Sequence, residues 1–274
     1  MSRNHNAAIA ADTLEILKQG SYIALSGRAV NIQSDLERSM RESKLWTPES
    51  LRALEPRVQP FDTAFEVTGE TTLEAARRGS SGGAVLCLNF ASAKNPGGGF
   101  LGGAQAQEES LARSSGLYPT LTAHPGFYAF HRAQGDLLYS DRMIYSPDVP
   151  VFRDDAGELL EEPYLASFIT SPAPNAGAMA TNQPASLERL PAVLLERASL
   201  VLRLAAHKGA RRLVLGAWGC GVFRNDPETV AGVFAHWLEG EYAHAFQHVT
   251  FAIYDRSKDR VTLGAFQRAF KAVR

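Results

Sequence analysis

The chain has 274 residues, a formal net charge of −1 at pH 7 and 45% hydrophobic residues. This length and composition predict one large domain with a buried core, and the near-neutral charge argues against a broad basic surface for nucleic acid. The first residues lack the apolar core of a signal peptide, and no apolar run reaches the roughly 18–20 residues that a membrane span needs. Cys87 and Cys220 lie far apart and form no disulfide framework. We therefore expect a cytoplasmic protein without a membrane-bound segment.

In the first half of the chain, periodicity and capping residues predict helices and short strands in alternation. Thr71 and Gly79 bound one short helix as its cap and its terminal glycine. The predicted elements are a helix over 6–18, strand character within 22–27 and 65–69, a charged and partly helical segment over 34–56, a helix over 71–79, a buried strand over 83–90 and a helix over 107–118.

The second half continues the alternation. Asp226 as N-cap and Pro227 at the first helical position mark a helix start, and Pro191 lies near the start of the longest helix. The predicted elements are strands within 142–152 and 164–171, a loop over 171–185, helices over 186–209, 226–240 and 258–272, and strands beginning at 211 and 248. This order predicts an α/β sandwich with a largely buried sheet. The loop is the only plausible linker and is too short to separate domains.

Two glycine-rich loops each follow a buried strand and precede a helix. Ligands of open α/β sheets bind beyond the carboxyl ends of strands, where such loops gather. Without a Cβ, glycines allow backbone N–H groups to face a diphosphate, and an aromatic ring in the opposite loop adds an apolar face for a sugar or base. The alternative is a pair of tight turns, since neither loop is a Walker A or a clean G-x-G-x-x-G. The candidate ligand-binding residues are Gly97, Gly98 and Gly99 in the first loop and Gly219, Cys220, Gly221, Val222 and Phe223 in the second.

The first loop continues into a paired carboxylate. Gly97-Gly98-Gly99, seven residues and then Gln107-Glu108-Glu109 resembles the signature of poly(ADP-ribose) glycohydrolases. The blocks "NFASAKNP", "MIYSPDVPVFRDD" and "GAWGCGVFRNDP" are similar to the compact bacterial type of that family, and the likeness runs from about residue 60 to 255. The resemblance implies a macrodomain-like three-layer α/β/α sandwich with a mixed sheet that cradles ADP-ribose. It makes residues 1–58 a mostly helical N-terminal extension of a core over 59–274.

The resemblance also assigns roles to the two glutamates. Glu109 becomes the general acid/base, and Glu108 binds ribose hydroxyls and holds the glycosidic bond in place. Adjacent helical residues point about 100° apart, so the two carboxyls do not share one role. A helix N-terminus favours the ionised carboxylate, whereas like charge from Glu108 and burial under a bound ribose raise the pKa as a general acid requires. The sequence leaves this balance open, and the alternative role for both is to complement the helix dipole.

Three further residues have a binding role and a structural alternative. Asn95 resembles a macrodomain asparagine that contacts the distal ribose, or it is a turn residue before Pro96. Gln107 either caps the helix or contacts the catalytic residues without contacting the substrate. Tyr254 stacks on adenine or is an ordinary strand-end aromatic. The implied partners are poly(ADP-ribose), ADP-ribose and ADP-ribosylated proteins, with no cofactor, no metal and no nucleic acid, and we expect a monomer.

Other site types fit the sequence less well. His244 and His248 have the spacing of zinc ligands but lack the glutamate of H-E-x-x-H. Cys220 lies between glycines, yet no histidine can be assigned as its base, so we interpret it as a small packed side chain. Two rival functions stay open: a non-catalytic ADP-ribose-binding macrodomain, and a hydrolase of mono-ADP-ribosyl modifications. The glutamate pair argues against the first, because a protein that only binds needs no acid.

Overall fold

A seven-stranded mixed sheet forms the centre of the structure, a computed structural model that describes residues 2–55 and 60–271. The strands are β1 (Ser21–Ile23), β2 (Ala29–Asn31), β3 (Lys44–Trp46), β4 (Ala64–Thr68), β5 (Val85–Phe90), β6 (Met143–Arg153), β7 (Leu159–Ser171), β8 (Arg212–Gly216) and β9 (His248–Ala252). Seven of these strands form the central sheet, in the order β3-β6-β7-β5-β8-β9-β4. The pairs from β7 to β4 are parallel, and β6 pairs antiparallel with both of its neighbours.

Helices cover both faces of this sheet. They are α1 (Arg3–Gln19), α2 (Gln33–Glu42), α3 (Pro48–Arg52), α4 (Thr72–Ser80), α5 (Gln107–Ser114), α6 (Leu117–Thr122), α7 (Pro125–Gln134), α8 (Ala176–Asn182), α9 (Leu190–His207), α10 (Pro227–Glu239) and α11 (Val261–Ala269). Side chains alternate along β5, so Leu86 and Leu88 pack beneath α9–α11 while Cys87 faces the core under α4–α7. The predicted three-layer α/β/α sandwich with a mixed sheet is confirmed.

The N-terminal residues are part of this architecture. Helix α1 packs on the first glycine loop and on α5, and β1 and β2 form a separate hairpin. Strand β3, which the partly helical prediction for 34–56 missed, pairs with β6 at the sheet edge and buries Trp46. Three residues are too few to show an alternating pattern, so only the pairing defines this strand. The predicted boundary at 58/59 falls in 56–59, outside the described residues.

Three predicted segments differ from the structure. The helix predicted over 107–118 is two helices, because Ser115 adopts an extended conformation and bridges to Val151. The predicted loop over 171–185 contains α8, whose first turn is capped by the side chain of Asn175. Strand β7 begins five residues earlier than the predicted start at 164, since β6 and β7 pair along most of their lengths around a bulge with Asp148 at φ 43°. Long-range pairing and capping outweigh local composition at these positions.

Other local signals are confirmed. Thr71 and Glu74 form a capping box at the start of α4, where each side chain accepts a backbone N–H. Asp226 caps α10 by accepting the N–H of Thr229, and Pro227 occupies the first helical position. Pro191 lies in the first turn of α9. Within residues 2–55 and 60–271, no helix has the length and apolar character of a membrane span.

Candidate active site

The two glycine loops lie at one edge of the sheet. The first follows β5 and the second follows β8, and these two strands are parallel neighbours. Their carboxyl ends therefore bring residues 95–103 and 216–224 together, although more than a hundred residues separate them in sequence. This is the edge at which ligands of open α/β sheets bind. Both predicted loops therefore begin at the same edge of the sheet.

The glycines of the first loop leave no space for side chains. Gly97 and Gly98 have φ values of 68° and 60°, which residues with a Cβ rarely adopt. A Cβ on Gly97 would lie 2.9 Å from the ring of Phe100, and one on Gly98 would lie 2.3 Å from Oε1 of Glu109. The run of glycines therefore allows the backbone to pass directly over the carboxylate.

The backbone N–H groups of this loop have acceptors within the protein. The N–H of Gly99 donates to Oε1 of Glu109 at 3.0 Å, and that of Gly97 is hydrogen-bonded to Glu108. The N–H of Gly98 donates to the carbonyl of Asn95 at 3.0 Å. The sequence predicts that these three groups face a diphosphate. In the structure they instead bind the two catalytic candidates and close the turn.

Glu108 points into the core. Its side chain is 3% exposed, and its carboxyl accepts the backbone N–H of Ser92 at 2.6 Å and the side-chain amide of Asn89 at 3.3 Å. Burial raises the pKa of Glu108 to about 8, against the opposing effect of hydrogen bonds from Ser92 and Asn89. The carboxyl group is thus mostly protonated at pH 7.

Glu109, the next residue, is half-buried and faces the glycine loop rather than the core. The different surroundings of Glu108 and Glu109 agree with the angle of about 100° between successive helical side chains. Of the two adjacent glutamates, Glu109 is the one that combines partial exposure with a carboxyl group held by a backbone N–H of the glycine loop. That combination suits a group that must meet a substrate and exchange a proton with it.

Gln107 connects α5 to β5. Its Oε1 accepts the N–H of Phe90 at 2.9 Å, and its Nε2 donates to the carbonyl of Leu88 at 2.7 Å and to the hydroxyl of Thr72. Gln107 is therefore not a helix cap, one of the two alternatives from the sequence. It fixes the first turn of α5, which carries both glutamates, to the end of the central strand.

Two residues beside Glu108 were missed from the sequence. Asn89 is fully buried and bridges Glu108 to the hydroxyl of Thr170, and the Ser92 hydroxyl accepts the N–H of Asn95 at 3.1 Å. An asparagine inside the apolar run "VLCLNF" was the available signal, because a buried amide requires polar partners. Asn95 itself is exposed at the turn.

The second loop is more open than the first. Gly219 has φ 74°, and a Cβ there would lie 2.3 Å from the amide of Asn225, whereas a Cβ on Gly221 would meet nothing within 4 Å. Val222 is 78% exposed. Across the described part of the chain, the N–H groups of Gly221, Val222 and Phe223 have no hydrogen-bond acceptor. Three successive free donors on one loop form a place where an anion can bind.

The remaining candidates lie at the same edge with different exposure. Phe223 is half-buried with its ring centroid 6.0 Å from that of Tyr139. Cys220 packs against the core, and burial raises its pKa to about 12, which agrees with a small packed side chain. Tyr254 is 56% exposed beyond β9, with the guanidinium of Arg256 5.5 Å from its ring centroid.

The two histidines with zinc-like spacing have separate partners. His244 Nδ1 lies 3.0 Å from the carbonyl of Phe61, and His248 Nε2 lies 3.0 Å from Glu66 Oε1. Each imidazole therefore makes its own local contact, and the two rings have different partners.

Comparisons with known proteins agree with this geometry. Residues 10–154 match the family model described as "Microbial-type PARG, catalytic domain". The chain is similar to the crystal structure of poly(ADP-ribose) glycohydrolase from Thermomonospora curvata bound to the inhibitor ADP-HPD, with 54% identity, a TM-score of 0.91 and coverage of 97% of this chain and 100% of that one. It is also similar to poly(ADP-ribose) glycohydrolase (PARG) from Deinococcus radiodurans in complex with ADP-ribose, with 50% identity, a TM-score of 0.82 and coverage of 87% and 97%. A search of curated protein sequences gave no match.

Proposed function

Because the chain belongs to the microbial-type poly(ADP-ribose) glycohydrolase family, we propose that it hydrolyses the ribose–ribose O-glycosidic bonds of poly(ADP-ribose) and releases ADP-ribose, with Glu109 as general acid/base. The observation that carries the assignment of Glu109 is the position of its carboxyl group, half-buried at the sheet edge and held by the N–H of Gly99.

The proposed reaction needs one proton donor and one proton acceptor. Glu109 gives a proton to the ribose oxygen that leaves, and an oxocarbenium-like centre develops on the other ribose. Water adds at that carbon and returns a proton to Glu109, which restores the starting state. One carboxyl group supplies both transfers, so the reaction requires no metal.

Glu108 has a different role in this proposal. Its raised pKa leaves a proton on the carboxyl at neutral pH, so the group can donate to one ribose hydroxyl and accept from another. Its bonds with Ser92 and Asn89 fix its orientation. Glu108 would thus hold the ribose beside Glu109 rather than react with it.

We assign the diphosphate mainly to the second loop. The N–H groups of Gly221, Val222 and Phe223 are free within the described chain, whereas those of Gly97, Gly98 and Gly99 are already bonded. Phe223 would contact the ribose, Asn95 the distal ribose and Tyr254 the adenine. Most of the binding energy then comes from groups away from the bond that breaks, and it serves to position that bond.

The decisive experiment compares two substrates. Purified protein is incubated with labelled poly(ADP-ribose) and with mono-ADP-ribosylated protein, and released ADP-ribose is measured by chromatography. We expect release from the polymer. Binding of the polymer without release would favour a non-catalytic macrodomain, and release from the mono-modified protein alone would favour a hydrolase of that modification.

A further inference from the structure

Phe223 rests against an aromatic ring that belongs to neither glycine loop. The ring of Tyr139, in the turn between α7 and β6, lies 6.0 Å from that of Phe223 and is tilted by 47°. Tyr139 has φ 57°, and Arg224, next to Phe223, has φ 56°. Residues with side chains rarely adopt this left-handed conformation, and it persists only where surrounding contacts impose it. The contact between Tyr139 and Phe223, beside the candidate ligand site, therefore involves one residue in this conformation and adjoins a second, Arg224.

Tyr139 is held firmly from its other side. Its ring packs edge-on against the buried ring of His131 at 6.0 Å. Burial lowers the pKa of His131 to about 4, so the imidazole is neutral at pH 7. Its Nδ1–H then donates to the carbonyl of Phe127 at 2.8 Å, and Nε2 accepts from the hydroxyl of Ser140 at 2.8 Å. The residue after Tyr139 is thereby tied to α7.

Helix α8 holds the backbone of Phe223. The N–H of Gly177, in the first turn of α8, donates to the carbonyl of Phe223 at 2.9 Å. Asn175, which caps this helix, donates its own N–H at 2.9 Å to the carbonyl of Leu137, two residues before Tyr139. The ring and the backbone of Phe223 are thus supported by two segments that are themselves joined through Asn175.

We propose that Tyr139 is a positioning residue that holds the Phe223 ring ready for the ribose of ADP-ribose, an inference that rests on the function proposed above for Phe223. A ring already fixed in place loses little conformational entropy when the ligand binds. Tyr139 acts through Phe223 and does not touch the reacting atoms, so its loss weakens ligand binding and raises KM while kcat changes little.

The test uses substitutions that separate the ring from the backbone. Tyr139→Asn removes the ring but keeps a residue that tolerates the left-handed conformation, and Tyr139→Phe keeps the ring. Both are made alone and in a Phe223→Ala background. Phe130→Ala is the matched control, because that ring packs on His131 and not on Phe223. Calorimetry gives the Kd for ADP-ribose, polymer assays give kcat and KM, and hydrogen exchange gives the protection of the Gly177 N–H.

We expect Tyr139→Asn to weaken ADP-ribose binding by about 5- to 30-fold, Tyr139→Phe to bind within about twofold of wild type, and Phe130→Ala to have no effect. In the Phe223→Ala background, Tyr139→Asn should cause no further loss. An equal loss in both backgrounds, or normal binding by Tyr139→Asn, overturns the inference. If the wild type binds no ADP-ribose, the proposed function fails instead. Hydrogen exchange then tests the inference by itself. If the Gly177 N–H is as protected from exchange in Tyr139→Asn as in the wild type, Tyr139 does not support Phe223.

Discussion

The two glycine loops follow neighbouring parallel strands, yet their backbone N–H groups have different partners. In the first loop, the N–H groups of Gly97 and Gly99 bind the carboxyls of Glu108 and Glu109. In the second, three successive N–H groups from Gly221 to Phe223 have no acceptor within the described residues. The first loop thus serves the protein's own acidic groups, and the second is available to a ligand.

The space around the glycines differs in the same way. A Cβ on Gly98 would lie 2.3 Å from a carboxylate oxygen, whereas one on Gly221 would meet nothing within 4 Å. Glycine in the first loop is required by contacts inside the folded protein. At Gly221 the contacts of the protein alone do not require it. Two loops of similar composition therefore differ in what their backbones contact: one holds the side chains of two glutamates and the other offers hydrogen-bond donors.

The largest effect is expected from the carboxylate that the first loop holds. Glu109→Gln should lower polymer turnover by about 10²–10⁴-fold, because the amide cannot transfer the proton, while ADP-ribose affinity stays within a few-fold. A polymer assay and calorimetry measure the two quantities, with the exposed Glu162→Gln as control. Retained turnover would remove Glu109 from its assigned role and leave the first loop without a catalytic group.

The buried partner, Glu108, should make stability depend on pH. Its pKa is about 8 in the folded chain against 4.5 for the ordinary group, so folding favours the protonated carboxyl. The associated stability is fully present below about pH 4.5 and is lost as the pH rises through about 8. The total is on the order of a few kcal/mol, since one pKa unit corresponds to about 1.4 kcal/mol.

Glu108→Gln cannot ionise and should lack this dependence. Urea unfolding at pH 5, 7 and 9 should show the free energy of unfolding of the wild type falling relative to that of the variant as the pH rises. Parallel profiles for the two proteins would mean that Glu108 is ionised in the folded state.

A smaller loss of turnover is expected when a side chain added to the first loop displaces the carboxyl group of Glu109. Gly98→Ala places a methyl group 2.3 Å from Glu109 Oε1 at a φ of 60°, so the carboxylate must move. We expect kcat to fall by about 10–10²-fold, the range for a displacement of about 1 Å at a reacting group. Steady-state kinetics with the polymer measure kcat. Wild-type kcat in this variant would show that the contact with Gly98 does not set the position of Glu109.

The smallest effects distinguish two glycines of the second loop. Gly219→Ala should lower the free energy of unfolding by about 1–3 kcal/mol, because its Cβ would lie 2.5 Å from that of Ala173 in a left-handed backbone. Gly221→Ala should change it by less than about 0.5 kcal/mol. Urea unfolding of both variants measures the difference. Equal destabilisation would contradict the open geometry at Gly221.

Short-range signals in the sequence predicted much of this protein. The spacing of Gly97–Gly99 and Gln107–Glu109 identified the family resemblance and the candidate acid, and alternating strands and helices predicted the α/β class. Asp226 with Pro227 and Thr71 with Gly79 marked helix ends within about one residue of the observed ones. These signals are readable because a cap or a signature depends on residues close together in the chain.

Tertiary structure alone decided which groups meet. The burial of Glu108 depends on Asn89 and Ser92 from the end of β5, and the contact of Phe223 with Tyr139 joins residues from distant parts of the chain. The same holds for strand β3, which exists only through its pairing with β6. The sequence predicts that the first loop presents its N–H groups to a diphosphate and that the second loop forms the opposite wall of the site. Folding placed two carboxyl groups beneath the first loop and no atom within 4 Å of a Cβ on Gly221 in the second. Packing between elements, and not the residues of a loop itself, thus determines the hydrogen-bond partners.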